Sequence, residues 1–161
     1  MLKKISLMIA TFFGAGLSPV APGTIGSFAS LPLAFLVTYF FGFDGIVYAV
    51  AFIFCIGVIA VYFATKDEEQ KDPGKIVIDE TAGQLTSFIL VTPYLYHNAT
   101  LDACIVYLLG FGLFRFFDII KIGPVKWADT NFKNAFGVML DDIFAGLFAA
   151  IVLTFLCRFF N

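Results

Sequence analysis

Long uncharged stretches alternate with short charged segments along the whole chain. Five uncharged runs of 12 to 21 residues occupy positions 27–43, 45–65, 81–96, 103–114 and 143–157. A helix rises about 1.5 Å per residue, so the longest run can cross about 30 Å of hydrocarbon, and the others approach that length with their flanks. The alternation of apolar and polar positions that marks membrane strands is missing. The pattern predicts an all-α, polytopic membrane bundle of about five transmembrane helices, in a single domain over residues 1–161.

Two shorter features complete the predicted layout. An uncharged run of 13 residues, at positions 5–17, follows Lys3 and Lys4. This run is too short to cross the bilayer, so we expect an N-terminal helix that lies in the interface or re-enters the membrane. Residues 97–100 separate the third long run from the fourth, and we expect them to form the turn of a helical hairpin.

The composition supports a location in the membrane. Hydrophobic residues make up 60% of the chain and charged residues only 14%, and the mean hydropathy is +0.94. A soluble fold of this size has too small a core for so much apolar surface. The net charge of -2 and the lack of a basic stretch argue against a nucleic-acid partner. The three cysteines are isolated in apolar runs, which indicates neither a zinc site nor a disulfide framework.

The distribution of lysine predicts the orientation of the bundle. Lysines lie before the first run and in segments 66–80 and 118–141, whereas the turns at 43–45 and 97–102 carry no lysine or arginine. With five crossings, the lysine-bearing segments share one side, which the positive-inside rule assigns to the cytoplasm. Arg158 is the one exception. The polar motifs fall on the same side, so we expect a site that faces the cytoplasm.

Carboxylates gather at the ends of the uncharged runs. Asp79 and Glu80 precede the third run, and Asp141 and Asp142 precede the fifth. Carboxylates are costly in hydrocarbon but ordinary in water, so acids at these boundaries can converge on one aqueous face. Adjacent residues on a helix diverge by about 100°, so only one member of each doublet can cap its helix and the other is a candidate ligand. Capping alone is the alternative.

An oxygen-rich set of this kind suits Mg²⁺. This ion binds through one or two carboxylates while it keeps waters and accepts phosphate oxygens. Asp72 lies in the loop before the first doublet, and Asp118 follows the fourth run. Either residue can join the metal ligands or act as the base for water.

Candidate anion-binding groups fall on the same predicted side. Arg115 and Lys121 end the fourth run, where they either complement the negative end of the helix or bind a phosphate. Residues 23–27 combine two glycines with the hydroxyls of Thr24 and Ser27 ahead of a helix. Such a turn can bind an anion through its backbone N–H groups, and ordinary capping is the alternative.

Several phosphatase chemistries lack their residues in this chain. His97 is the only histidine, and it lies in a turn on the side opposite the acids, whereas phosphohistidine chemistry needs at least two histidines. No cysteine is followed by an arginine six residues later, and no Asp-x-Asp pair occurs. Metal-assisted attack by water is the chemistry that is left.

Four sequence blocks, in order, resemble those of the phosphatidylglycerophosphatase A family. The blocks are residues 18–27, residues 72–83 with Asp72, Asp79, Glu80 and Gly83, residues 114–121 with Arg115, Asp118 and Lys121, and residues 137–146 with Asp141, Asp142 and Gly146. The resemblance implies a bacterial, Mg²⁺-dependent enzyme of the inner membrane that converts phosphatidylglycerophosphate to phosphatidylglycerol. The chain departs from the family at Ile122, often proline, and at Asn134-Ala135, often a glycine pair. These departures concern the loop at 119–137 more than the acidic ligands.

The resemblance and the residues together give a set of expected roles. The expected metal ligands are Asp72, Asp79, Glu80, Asp141 and Asp142. The expected catalytic residues are Asp79, Glu80, Asp118, Asp141 and Asp142. The expected phosphate ligands are Thr24, Ser27, Arg115 and Lys121. Two other classes stay open: a small transporter or channel in which the acids form a cytoplasmic cation vestibule, and a scaffold in which they only cap helices.

Overall fold

The fold is helical, as the sequence predicts. A computed structural model describes residues 2–67 and 74–159, which form helices and turns but no strand. The helices are α1 Leu2–Ala10, α2 Pro22–Ala29, α3 Leu31–Thr65, α4 Ile78–Thr86, α5 Thr92–Leu95, α6 Leu101–Ile120, α7 Pro124–Asn131 and α8 Ala135–Phe159. Single 3₁₀ turns at Ala15–Leu17 and Ile89–Val91 join α1 to α2 and α4 to α5.

Helix α3 reverses direction at its middle. Gly42 has φ 61° and ψ -150°, a conformation outside the helical region that glycine adopts without steric cost. Leu33, before this break, lines the same apolar cavity as Ala49 and Ile53, after it. In a straight helix Leu33 and Ile53 would be about 30 Å apart. The two arms of α3 therefore lie side by side, and the turn predicted at residues 43–45 is found at Gly42.

Three helices within the described ranges are long and apolar enough to cross a membrane. They are Pro22–Thr65, which joins α2 to α3, together with Leu101–Ile120 and Ala135–Phe159. The fourth predicted run continues past Arg115 to the end of α6, as expected. Thr100 caps that helix by accepting a hydrogen bond from the N–H of Ala103, so the turn predicted before α6 is confirmed. The count of about five crossings stays a prediction.

The third predicted run, residues 81–96, is not one helix. Helix α4 ends at Thr86, and a 3₁₀ turn separates it from the short α5, which carries Pro93 in its first turn. Residues 81–88 are all buried, because α4 packs between α3 and α8. Interrupted backbone at membrane depth is tolerated where protein covers it. The centre of the bundle is therefore a short, covered helix that carries the first acidic doublet.

Helix α8 begins earlier than the sequence suggests. We expected the doublet Asp141-Asp142 at a helix start, with the fifth run from 143, but α8 begins at Ala135. The side chain of Asn134 accepts a hydrogen bond from the N–H of Gly137 and supports this earlier start. Both aspartates therefore lie within the helix, almost two turns after its first residue, where neither can cap the N-terminus of the helix. Capping alone does not explain this doublet.

The N-terminal segment packs on the entry to α4. Helix α1 has nine residues, about 14 Å, which agrees with the prediction that it does not cross the bilayer. The carbonyl of Ala10 accepts a hydrogen bond from the N–H of Val77, the residue before α4. This bond fixes the backbone that leads into the first acidic doublet.

Candidate active site

A polar cavity of about 420 Å³ opens where α2, α4, α6 and α8 meet. It brings together side chains from four separate parts of the sequence. The residues that line it are Ala21, Pro22, Gly23, Thr24, Gly74, Ile76, Asp79, Glu80, Arg115, Asp118, Ile119, Lys121, Asp141 and Asp142. The convergence expected from the acidic doublets and the two cations is thus present in the fold.

Three carboxylates form a compact group on one wall of this cavity. One oxygen from each of Asp79, Glu80 and Asp142 lies within 4.8 Å of the other two. Asp79 and Asp142 are only 7% and 3% exposed, and the side chain of Glu80 is 14% exposed. Carboxylates are rarely buried at this density unless a cation or a proton neutralises them.

Glycines explain how α4 and α8 bring these acids together. A Cβ on Gly83 would come within 3 Å of the carbonyl oxygen of Asp142, and one on Gly146 would overlap the backbone of Gly83. The two helices therefore touch backbone to backbone beside the carboxylates. This close approach gives a physical role to the small residues that follow each acidic doublet.

The carboxylate group has the properties of a cation site. Among the described residues, Glu80 Oε2 and Asp142 Oδ2 are buried oxygens without a hydrogen-bond partner. Buried polar atoms of this kind are uncommon in native proteins and often mark a missing ion or water. Carboxylate oxygens alone, without sulfur or imidazole, favour a hard ion such as Mg²⁺ or Mn²⁺. Asp79, Glu80 and Asp142 are thus the residues placed to hold a metal.

The environment of Glu80 makes its charge costly. Burial, followed by repulsion from Asp142, raises the pKa of the Glu80 carboxyl to about 8. A hydrogen bond with Asp79 and the nearby Arg115 lower the pKa only in part. The carboxylates therefore need a positive charge beside them, which a bound cation or a proton can supply.

Arg115 lies beside the acidic group. Its Nη1 lies 2.5 Å from Asp118 and 3.8 Å from Glu80, and it donates a 3.4 Å hydrogen bond to the hydroxyl of Ser27. Ser27 is fully buried and in turn donates to the carbonyl of Gly23. Ser27 is not part of the cavity lining, so it supports Arg115 from behind, whereas the sequence suggested direct contact with phosphate.

The first turn of α2 forms the facing wall. Ala21 adopts a left-handed conformation before Pro22, the first helical residue, and no side chain caps the helix. The first N–H groups of a helix have no partner within the helix, so those of Gly23 and Thr24 are suited to bind an anion at the cavity wall. A Cβ on Gly23 would overlap Glu80 Oε1. Glycine at this position allows the helix start to approach the carboxylate of Glu80.

Lys121 lies at the rim and is engaged by two acids. Its Nζ donates to Asp141 at 2.8 Å and to Asp129 at 2.6 Å. Burial opposes the charge, but these hydrogen bonds outweigh it and raise the pKa of Lys121 above its usual value. The sequence indicates Lys121 as a site residue but not Asp129. Asp129 lies between two uncharged runs and away from any acidic doublet, so no pattern marks it.

Some of the other residues predicted at the site line the cavity, and others lie elsewhere. Thr24, Asp118 and Asp141 line the cavity, although Asp141 is not part of the three-carboxylate group. Asp72 lies outside the described residues. His97 lies in the turn before α6, apart from the acids. Its ring packs against the rings of Tyr39 and Tyr96.

Comparisons with known proteins agree with the arrangement of these residues. Residues 8–157 match the profile of the family described as Phosphatidylglycerophosphatase A. A protein of Escherichia coli K12 with that name is 37% identical over 150 residues, which are 92% of this chain and 81% of the relative. A Haemophilus influenzae protein of the same name is 36% identical over 156 residues, 94% of this chain and 91% of the relative.

A third relative carries a different name. A protein of Bacteroides thetaiotaomicron, provisionally named as a phosphatidylinositol-3-phosphatase, is 30% identical over 153 residues, 92% of this chain and 91% of that protein. No solved structure matches the chain. All three relatives carry the names of phosphatases.

Proposed function

Because this chain belongs to the phosphatidylglycerophosphatase A family, we propose that it is a Mg²⁺-dependent lipid phosphatase that hydrolyses phosphatidylglycerophosphate to phosphatidylglycerol and phosphate. The observation that carries the proposal is the group formed by Asp79, Glu80 and Asp142 beside Arg115 in one cavity. Carboxylates for a metal and a guanidinium for a phosphate are the two parts that metal-assisted phosphate hydrolysis needs.

The three grouped carboxylates would hold Mg²⁺, with Asp141 and Asp72 as further ligands. When bound, the ion supplies electrophilic polarisation of the phosphoryl group and a more acidic water. Arg115 and the first N–H groups of α2 bind the phosphate oxygens and orient the monoester. Asp118, which is already fixed by Arg115, accepts a proton from the attacking water as the water oxygen bonds to phosphorus. This proton passes to the glycerol oxygen as the P–O bond to the glycerol breaks.

The surroundings of the cavity suit a substrate that stays in the bilayer. Ile119 is part of the lining and is 68% exposed, and Ile25, beside Thr24 on α2, is also exposed. These apolar side chains border the polar cavity where a lipid head group would leave the interface. The acyl chains can therefore remain in hydrocarbon while only the phosphate enters.

The reversal at Gly42 supports a topology of five crossings. Two crossings come from residues 22–41 and 43–65, one from α4 with α5, and one each from α6 and α8. In this proposed topology the cavity lies on the lysine-rich side, which the positive-inside rule assigns to the cytoplasm of a bacterial inner membrane. A cytoplasmic site would act on lipid in the inner leaflet.

Phosphate release from purified protein in mixed micelles tests the proposal. We expect turnover with Mg²⁺, loss on addition of EDTA, and recovery when Mg²⁺ is restored. Phosphatidylinositol 3-phosphate serves as the comparison substrate, and we expect slower turnover of this bulkier head group. A protein that releases no phosphate but conducts cations would instead support the acidic vestibule of a transporter.

Two substitutions test the metal ligands. Asp79→Asn and Asp142→Asn keep the size of the side chain but remove a ligand charge, so we expect a loss of about 100-fold or more in turnover. His97→Ala is the matched control, because it lies away from the acids and should keep most activity. Wild-type turnover of both aspartate variants at saturating Mg²⁺ would refute the assignment of the site.

A further inference from the structure

The backbone at Lys121 adopts a left-handed conformation that is unfavourable for residues other than glycine. Lys121 is the residue that ends α6, and its φ of 49° and ψ of 63° are left-handed. Glycine or asparagine usually takes this position at a helix end, because a longer side chain raises the energy there. A residue held in such a conformation often serves a functional site. At Lys121, the result is an ammonium group at the rim of the cavity.

Two carboxylates from two other helices hold this ammonium group. Asp141, on α8, is nearly buried, whereas the side chain of Asp129, on α7, is 42% exposed. Helix α7 packs on α8 through its own buried residues, Val125 and Ala128. The fold of α7 therefore does not depend on the exposed carboxylate of Asp129, which leaves its contact with Lys121 to be explained.

We propose that Asp129 is a positioning residue of the phosphatase site, which holds Lys121 between α7 and α8 so that the ammonium group can bind the phosphate of the substrate. This inference rests on the proposed function. A lysine ammonium has three N–H donors. Asp129 and Asp141 accept two of them, and the third is left for a phosphate oxygen.

Removal of Asp129 changes how Lys121 is shared. With a single carboxylate partner, the ammonium group would pair with Asp141 alone and lose its fixed position. A phosphate entering the cavity would then have to order the lysine side chain as it binds, which weakens binding. We therefore expect Asp129 to act on substrate affinity through Lys121, with little effect on the chemical step itself.

Steady-state kinetics in mixed micelles tests this role. We expect Asp129→Asn to raise KM by roughly 10-fold, the value of one charge-assisted hydrogen bond at a partly exposed site, while kcat changes much less. Binding of a non-hydrolysable methylene phosphonate analogue of the lipid should weaken by the same factor. Asp129→Glu should restore most of the affinity. Asp67→Asn, which breaks the exposed pair with Lys3 at 3.2 Å, is the matched control and should change neither.

A double substitution shows whether Asp129 acts through Lys121. In a Lys121→Gln background, Asp129→Asn should have no further effect on KM or on phosphonate binding. An equal effect of Asp129→Asn in both backgrounds would overturn the proposal, as would an unchanged KM in the single variant.

Chemical labelling tests the contact without relying on activity. We expect acetic anhydride to modify Lys121 more slowly than the exposed Lys126 in the wild-type protein, and Asp129→Asn to speed the modification of Lys121 alone. Labelling that does not respond to Asp129→Asn would overturn the proposal. If the wild-type protein released no phosphate with Mg²⁺, the proposed function would fail, and this is seen before any variant is compared.

Discussion

At the scale of single residues, Glu80 provides a measurable pH dependence. Burial, followed by repulsion from Asp142, raises the pKa of its carboxyl to about 8, so a proton competes for this carboxyl at neutral pH. A metal ligand must be ionised, so Mg²⁺ has to displace that proton. Because the folded pKa is raised, protonation competes with the metal more strongly at lower pH. We expect the affinity for Mg²⁺ to rise between about pH 6 and pH 8 and to level off above that range.

Calorimetry in buffers of different ionisation enthalpy measures this effect. About one proton should be released per Mg²⁺ bound near neutral pH. Glu80→Gln should bind Mg²⁺ more weakly and release fewer protons. An affinity that does not change across this pH range would contradict the assignment of Glu80 as a ligand.

The sequence was informative about residues that occur as doublets. Asp79-Glu80 and Asp141-Asp142 were recognised because two adjacent acids at an apolar boundary cannot both serve as caps. The position of Asp142 beside Asp79, with Asp141 turned toward Lys121, could not be predicted. It depends on the rotation of α8, which begins at Ala135.

At the scale of helices, the contact between α4 and α8 sets the spacing of the carboxylates that we propose as metal ligands. A Cβ on Gly146 would overlap the carbonyl of Gly83 and approach Thr86. We expect Gly146→Ala to separate the two helices, to weaken Mg²⁺ binding by about 10-fold or more, and to destabilise the protein by about 1–3 kcal/mol. The Mg²⁺ dependence of turnover and the thermal midpoint measure the two effects.

Gly112→Ala is the matched control for this change. Gly112 lies in α6, and a Cβ there would meet nothing within 4 Å. Alanine favours a helix over glycine by up to about 1 kcal/mol, so this variant should keep its Mg²⁺ affinity and be no less stable. Equal losses in both variants would mean that the close approach of α4 and α8 is not what sets the metal site.

Charged residues and turn residues predict where the helices lie, but they do not predict where a helix is interrupted. The start of α6 and the turn near Gly42 agree with the uncharged runs. The break after Thr86 falls within a continuous uncharged run, where α4 packs against α3 and α8. Pro93 is compatible with the start of a new helix at α5, but the uncharged run itself does not show where α4 ends.

At the scale of the whole molecule, the lysine distribution predicts which end faces the cytoplasm. In a variant without native cysteines, a membrane-impermeant thiol reagent added to intact cells should label a cysteine that replaces Asn98. It should spare a cysteine that replaces Gly74, a residue that lines the cavity. These two positions lie at opposite ends of the predicted bundle. The reverse pattern of labelling would place the cavity outside.

The short, covered helix α4 has a consequence for how the protein is made. Neither α4 nor α5 is among the helices long and apolar enough to cross a membrane alone, and α4 carries Asp79, Glu80 and the buried Gln84. Its cover comes partly from α8, which is synthesised after it. We expect this segment to settle into the bilayer only when α8 arrives beside it. Docking of α8 then completes insertion and the proposed ligand set in one step, so a chain released before α8 is made would have neither.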